Sequence, residues 1–226
     1  MSEPLPMDHP RLPGLSRDDF VVAPSNAVAL AMLDSWRDWP RGKLVLTGPS
    51  GSGKTHLAHI WAAEVGARVL DAHDLTSEDV PALAAAPLAL DDVDVALPPA
   101  TEEALFHLHN LIHANAQPLL LTGKRSVATW PLRLPDLRSR VQGAQSAVLK
   151  APDDVLLSAL LVKLFAERQL QVAPTVIEYL IKRMDRSFDA AGRIVAALDR
   201  ASLAERRTIT VRLAGEVLDK FPTETS

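Results

Sequence analysis

Short apolar runs alternate with helix-like segments along the first two thirds of the chain. The runs, which lack polar alternation, lie at residues 43–46, 68–70, 88–90, 119–121 and 147–149. The helix-like segments lie at residues 27–38, 55–65, 78–85 and 102–115. Strands that are apolar on both faces and separated by helices are typical of a parallel sheet covered on both sides. The pattern therefore predicts an α/β fold with a parallel five-stranded sheet flanked by helices.

From residue 151 onwards the apolar residues recur only at helical spacing. Asp153, Ser187 and Thr210 precede three such segments, and residues of this type cap helix N-termini. Pro174 is suited to the first turn of another helix. We therefore predict an all-helical domain over residues 151–226 that follows an α/β domain over residues 20–150. The proline-rich residues 1–19 are expected to form a flexible tail.

Composition and charge narrow the class of protein. Hydrophobic residues make up 47% of the 226, which is enough for a large core. The net charge of −4 and the absence of a basic run argue against strong direct DNA binding. There is no cysteine, so disulfides and thiolate metal sites are excluded. No apolar run approaches the roughly 18 residues of a membrane span, and we expect a cytoplasmic protein.

Residues 48–55, GPSGSGKT, fit the pattern G-x-x-x-x-G-K-[ST] between a predicted strand and a predicted helix. Glycines let successive backbone N–H groups point at phosphate oxygens, and the helix N-terminus adds positive potential. Lys54 supplies a charge for terminal phosphates. The alternative is a glycine-rich turn that binds nothing. The candidate nucleotide-binding residues of this P-loop are Gly48, Ser50, Gly51, Ser52, Gly53, Lys54, Thr55 and His56.

Two carboxylates, Asp91 and Asp92, end the apolar run at residues 88–90. After a P-loop, such a pair is typical of a magnesium and water-activating site. We predict that Thr55 and Asp91 hold Mg²⁺ and that Asp92 polarises the attacking water. A helix cap or a solvated loop is the alternative interpretation of the acid pair.

Four stretches resemble the DnaA/Hda branch of the AAA+ ATPases. They are FVVAPSN at 20–26, GKTHLAH at 53–59, LPDLRSR at 134–140, and the pair LDRAS at 198–202 and TIT at 208–210. The resemblance covers roughly residues 20–221. It implies an AAA+ nucleotide-binding domain with a helical lid, which binds ADP or ATP with Mg²⁺. It places Val21 and Val22 at the adenine base and assigns the arginine finger to Arg140, for which a structural ion pair with a neighbouring acid is the alternative.

Within this branch the chain is most similar to Hda-type regulators. Full initiators continue into a helix-turn-helix domain, whereas five residues follow Phe221 here. The resemblance implies a regulator that works with the DNA polymerase sliding clamp to stimulate hydrolysis of ATP bound to a DnaA-type initiator. The resemblance also allows the chain to form a homo-oligomer. Leu5 and Met7 are the candidate clamp-binding residues, although Pro4 stands where the family has glutamine; an ordinary tail is the alternative.

Two positions depart from the family pattern. Lys124 stands near the first sensor, where the family has an acid or an amide, and Asp189 stands where a lid arginine is expected. Arg193, one turn further, is a candidate substitute. Because a carboxylate near a terminal phosphate is repulsive, we expect nucleotide binding with weak intrinsic hydrolysis at most.

Other functions compete with this interpretation. A helicase-loader-like or DnaA-like DNA-acting ATPase would need a basic cluster towards DNA, which the sequence lacks. A small-molecule P-loop kinase would leave residues 134–140 and the lid unexplained. His109 and His113 have the i,i+4 spacing of a metal chelate, but helix packing is the better interpretation because no acid or cysteine ligands accompany them.

Overall fold

The computed structural model describes residue 17 and residues 20–205 and 207–221. The candidate clamp-binding residues Leu5 and Met7 lie outside this part of the chain. The strands are β1 (Lys43–Thr47), β2 (Arg68–Asp71), β3 (Leu88–Asp91), β4 (Leu119–Gly123) and β5 (Gln145–Val148). The α-helices are α1 (Ala27–Asp34), α2 (Lys54–Val65), α3 (Val80–Leu83), α4 (Pro99–Ala114), α5 (Pro135–Gln142), α6 (Asp154–Glu167), α7 (Pro174–Ile181), α8 (Phe188–Glu205) and α9 (Val211–Leu218).

The five strands form one sheet in the order β2-β3-β4-β1-β5, and every neighbouring pair is parallel. Strands β1 and β4 are buried along their whole length, as expected for the centre of a sheet covered on both faces. The predicted parallel five-stranded sheet flanked by helices is confirmed.

Alternate residues of the strands enter separate cores on the two faces of the sheet. Val45 packs with the cluster that contains residues of α3, α4 and α5. Leu44 and Leu46 pack with the cluster that contains residues of α1 and α2. On that second face the rings of Trp39 and Trp61 stack with centroids 5.3 Å apart.

The four helices α6 to α9 enclose a third core of their own, with Phe165 and Leu198 among its buried residues. The three predicted caps are confirmed. Asp153, Ser187 and Thr210 accept hydrogen bonds from the backbone N–H groups of Leu156, Ala190 and Leu213. Among the described residues, no helix is long and apolar enough to cross a membrane.

Several predicted helix ends were wrong. The helix predicted over residues 27–38 ends at Asp34, and 3₁₀ turns then lead to β1. Only Val80–Leu83 is helical within the segment predicted at 78–85, because the preceding residues form a turn in which Asp79 N donates to Thr76 O. The predicted strand at 147–149 runs from Gln145 to Val148 instead.

The start of α6 is tied to the segment before α1. Asp153 accepts a hydrogen bond from the backbone N–H of Ser25 (3.3 Å), and Lys150 N donates to Ser25 O (3.2 Å). The last strand ends at Val148 and α6 begins at Asp154, on either side of the boundary predicted at 150/151. The division of the chain into tail, α/β domain and lid stays a prediction.

A buried basic pair lies at the amino-terminal edge of the sheet. Lys43 Nζ is 2.8 Å from Nε2 of His109 on α4, and both residues are buried. Burial, with the positive charges of Arg140 and Arg41, lowers the pKa of Lys43 to about 8. Burial and Lys43 lower the pKa of His109 to about 3, so this imidazole is neutral. Among the described residues no group of three or more histidines or acids could hold a metal ion.

Replacing Asp153 by alanine is expected to lower the free energy of unfolding by about 1 kcal/mol, the usual value of a lost N-cap. The hydrogen bond from Leu156 N leads the causes that lower the pKa of Asp153. The contribution of the Asp153 carboxylate to the free energy of unfolding is therefore present above the ordinary carboxyl pKa. It is lost as the pH falls through the lowered pKa. Urea denaturation checks this, with Glu178→Ala, an exposed acid on α7, as the control. Equal losses in both variants would contradict the assignment.

The pH dependence of the free energy of unfolding should differ between the wild type and the Lys43→Met variant, because the variant lacks the buried amine. Between pH 8 and the ordinary lysine pKa, the unfolded chain binds more protons at Lys43, so wild-type stability rises with pH. Relative to Lys43→Met, the wild type should gain about 2 kcal/mol between pH 7 and pH 10. Urea denaturation at both pH values measures this. Lys182→Met, at an exposed lid position, should show no such change, and a pH-independent difference for Lys43 would refute the assignment.

Candidate functional site

The P-loop joins β1 to α2 at the carboxyl-terminal edge of the sheet. Its turn is closed by Ser52 N donating to Pro49 O (3.2 Å), and Gly48 N donates to Gly123 O on β4 (3.2 Å). A Cβ added to Gly48 would lie 2.6 Å from Leu149 O, so no larger residue fits there. The loop is thus held against two neighbouring strand ends.

The lid contacts the P-loop directly. Phe188 N donates to Gly51 O (2.9 Å), so the first residue of α8 is hydrogen-bonded to the loop. Gly51 has a φ of +67°, and a Cβ added there would lie 2.3 Å from Ser187 Cβ. Both the backbone conformation and the close approach of the lid therefore require glycine.

Lys54 is buried inside the curl of the loop. Its Nζ donates to Gly48 O (2.8 Å) and Pro49 O (3.0 Å). Burial lowers the pKa of Lys54, and the negative charges of Asp92 and Asp91 offset part of this effect. Ser52 Oγ is buried and has no hydrogen-bond partner among the described residues. A buried cation and an unsatisfied hydroxyl in a glycine-rich loop fit the phosphate groups of a nucleotide.

The two candidate magnesium ligands lie together. Thr55 Oγ1 donates to Asp91 Oδ2 at 2.6 Å. The other carboxylate oxygen of Asp91 accepts from Thr122 Oγ1 on β4. A hydroxyl and a carboxylate in contact offer the hard oxygen donors that Mg²⁺ prefers.

Thr122 is a site residue that was not predicted. Its hydroxyl is fully buried, donates to Asp91 and accepts a hydrogen bond from Asp92 N (3.0 Å). It thereby fixes both acids at the end of β3. The sequence did offer a signal for Thr122, which is polar and directly follows the apolar run at 119–121. Because the carboxyl ends of parallel strands share one edge, such a residue is expected near the acids that follow the run at 88–90.

Asp92, the predicted water-activating residue, has an unusual backbone and a cationic neighbour. Its φ of 55° lies in the left-handed region, which costs a non-glycine residue about 1 kcal/mol or more. Lys124 Nζ lies 3.4 Å from Asp92 Oδ2. The side chain is thus in place beside Asp91 but is paired with a lysine.

The segment predicted at the adenine base packs beside α2. The Asn26 side chain accepts from Ala23 N (2.9 Å) and donates to Val21 O (2.9 Å), which holds the turn that contains Val22. The Phe20 ring meets the His56 ring edge-on, with centroids 5.5 Å apart. Phe20, the residue before Val21, therefore contacts the first turn of α2 through His56. A role for Val21, Val22 and His56 at the nucleotide stays a prediction.

Arg193 is paired within its own helix. Its Nε lies 3.2 Å from Asp189 Oδ2, and both side chains are more than half exposed. The lid reaches the P-loop through Ser187 and Phe188, the residues just before this pair. A role for Arg193 at a phosphate stays a prediction.

Arg140 lies at the opposite edge of the sheet from the P-loop. Its guanidinium donates to Asn110 Oδ1 on α4 (2.5 Å) and lies over the Phe106 ring, 5.5 Å from the centroid. Its charge acts on Lys43, the first residue of β1, whereas the P-loop follows Thr47, the last. Four residue steps along a strand span about 13 Å. Arg140 and Lys54 are thus separated by the length of β1.

Two comparisons with known sequences agree with this geometry. Residues 154–218 match the family model described as Hda, lid domain. The chromosomal replication initiator protein DnaA of Thermomicrobium roseum is 27% identical, over 93% of this chain and 50% of that protein. The chain therefore spans about half the length of this curated relative.

Solved DnaA structures have the same fold. Domain III of the Thermotoga maritima replication initiation protein DnaA aligns with a TM-score of 0.78 at 20% identity, covering 94% of this chain and 99% of that one. AMPPCP-bound DnaA from Aquifex aeolicus aligns with a TM-score of 0.69 at 19% identity, covering 86% and 70%. The lid match, the DnaA relative and the shared fold confirm that this chain resembles the DnaA/Hda branch of the AAA+ ATPases.

Proposed function

We propose that this chain is a nucleotide-bound AAA+ regulator of chromosomal replication initiation. In this proposal it binds ADP or ATP with Mg²⁺ and, together with the sliding clamp, stimulates hydrolysis of ATP held by a DnaA-type initiator. The observation that carries the proposal is the separation of Arg140 from the chain's own P-loop across the sheet. The similarity to DnaA and the Hda lid match support the initiator as partner.

The chain's own site has the groups to hold a nucleotide. The ammonium of Lys54 would leave the loop carbonyls for terminal phosphate oxygens, which would raise its lowered pKa again. Thr55 and Asp91 would hold the metal, which supplies positive charge to the phosphates when bound. The AMPPCP-bound DnaA relative supports an adenine nucleotide at this loop.

The position of Arg140 supports action on another molecule. Its side chain is exposed, and its own P-loop lies about one strand length away. A guanidinium keeps its charge at any physiological pH and offsets the charge that develops on a transferred phosphoryl group. Asn110 and Phe106 hold this guanidinium at the surface of α5, where a partner's nucleotide site can approach it.

Contact with the sliding clamp would come from the N-terminal tail. Leu5 and Met7 provide alternate apolar anchors for an extended peptide, although the preceding position holds Pro4. Action in the cytoplasm, together with the initiator and the clamp, belongs to the same proposal.

The variant Lys54→Ala is expected to weaken binding of ADP and of AMPPCP by roughly 10- to 100-fold, the value of a lost charge-assisted hydrogen bond. Fluorescence titration in the presence of Mg²⁺ measures both dissociation constants. Lys182→Ala, the same change at an exposed lid position, serves as the control and should bind like the wild type. Unchanged affinity in Lys54→Ala would refute the phosphate role of this lysine.

The variant Arg140→Ala should abolish stimulation of the initiator's ATPase, a loss on the order of 10³-fold for an arginine finger. The measurement is single-turnover hydrolysis of ATP pre-bound to the cognate initiator, with DNA-loaded clamp and this protein added.

Arg133→Ala provides a matched control for this experiment, because Arg133 is an exposed arginine just before α5. It should stimulate hydrolysis like the wild type. If the wild type itself fails to stimulate hydrolysis, the regulatory function is wrong. If Arg140→Ala remains active, the stimulation does not come from this guanidinium.

A further inference from the structure

Three residues at the end of β4 pair one by one with three acids at the end of β3. The hydroxyl of the first residue bonds the first acid, and a lysine and an arginine face the second and the third. The pairs are Thr122 with Asp91, Lys124 with Asp92 and Arg125 with Asp94. These three contacts, called links below, connect the ends of β3 and β4 and the loops that follow them. The contact of Lys124 with Asp92 is the middle link.

The last link fixes the backbone around Lys124. Arg125 donates to the Asp94 carboxylate through its backbone N (3.0 Å) and its Nε (3.3 Å). Burial acts to raise the pKa of Asp94, but hydrogen bonds from the backbone N–H groups of Lys124 and Arg125 hold it below its ordinary value. Asp94 thus remains a buried carboxylate that anchors the turn from which the Lys124 side chain extends.

The first link fixes Asp92. The hydrogen bond from Asp92 N to Thr122 Oγ1 and the positive φ of Asp92 set the direction in which its side chain leaves the loop. The Asp92 carboxylate therefore faces the Lys124 ammonium, at 3.4 Å between Oδ2 and Nζ. Since neighbours constrain both backbones, this pair is better defined than an isolated surface ion pair.

The ion pair between Lys124 and Asp92 opposes the use of Asp92 as a general base. In hydrolysis, Asp92 would accept the proton that a water loses as its oxygen bonds to the terminal phosphorus and the bond to the departing ADP oxygen breaks. The Lys124 ammonium, 3.4 Å from Asp92 Oδ2, occupies one of the two carboxylate oxygens that would otherwise contact and orient this water.

We propose that Lys124 suppresses ATP hydrolysis by this chain, because its ammonium holds Asp92 in an ion pair and keeps it from activating water. The inference rests on the nucleotide site proposed above and deepens it. Lys124 makes the site hold a nucleotide without consuming it, so the chain's contribution to hydrolysis would be made by Arg140 at another molecule.

The test is single-turnover hydrolysis of ATP pre-bound to the full chain with Mg²⁺, without any partner. Lys124→Ala should hydrolyse ATP at least about tenfold faster than the wild type, since an effective general base contributes more than this. Lys124→Arg keeps the charge and should stay near the wild-type rate. The double variant Asp92→Asn/Lys124→Ala should lose the gain. A misfolded variant cannot produce an increase in rate.

Binding gives a second measurement that does not depend on turnover. Lys124→Ala should bind ADP and AMPPCP within about threefold of the wild type, because its proposed partner is Asp92 and not the nucleotide. Lys182→Ala removes an exposed lysine far along the chain and should change neither rate nor affinity.

Four results would overturn the inference. They are an unchanged or lower rate in Lys124→Ala, a gain that survives in the double variant, a gain in Lys124→Arg equal to that in Lys124→Ala, and a tenfold loss of AMPPCP affinity with ADP binding unchanged. The last result would place Lys124 at the terminal phosphate. If the wild type binds neither nucleotide, the proposed nucleotide site itself is wrong, and this outcome differs from all the others.

Discussion

The parallel alignment of five strands brings their carboxyl ends to one edge of the sheet, and the polar groups of the site depend on it. At that edge the P-loop leaves β1, Asp91 and Asp92 leave β3, and Thr122 ends β4. The hydroxyl of Thr122 bonds to the side chain of one acid and the backbone of the other. Because β3 and β4 are apolar and buried as far as Leu90 and Leu121, these polar groups can satisfy one another only where the two strands end.

The opposite edge of the sheet has a different electrostatic character. Lys43 and neutral His109 are buried there beside Arg140, and burial keeps the pKa values of both low. Arg140 is held at the surface by Asn110 and Phe106 rather than by a carboxylate. Carboxylates and a lysine lie at one edge, and at the other edge a guanidinium contacts Asn110 and Phe106 and no carboxylate of the described residues. The proposed action on a nucleotide held by another molecule rests on this separation.

The helical lid is built largely from local signals but is positioned by long-range contacts. Its helices begin at Asp153, Ser187 and Thr210, whose side chains accept hydrogen bonds from residues three positions later. The same Asp153 binds Ser25 N, and the α8 residue Phe188 binds Gly51 O in the P-loop. A movement of the lid would therefore change the contacts of the loop that is proposed to bind phosphates.

The strands, the P-loop motif, the acid pair and the helix caps were predictable from the amino-acid sequence, since each depends on residues within a few positions of one another. Helix ends were less predictable, because 3₁₀ and other turns compete with the continuation of a helix. Three relations follow only from the packing of the folded chain: Thr122 joins the two acids, Lys124 faces Asp92, and Arg140 lies a strand length from Lys54. These partners are about 30 residues or more apart in the chain, so packing of separate strands and helices, and not local sequence, brings them together or keeps them apart.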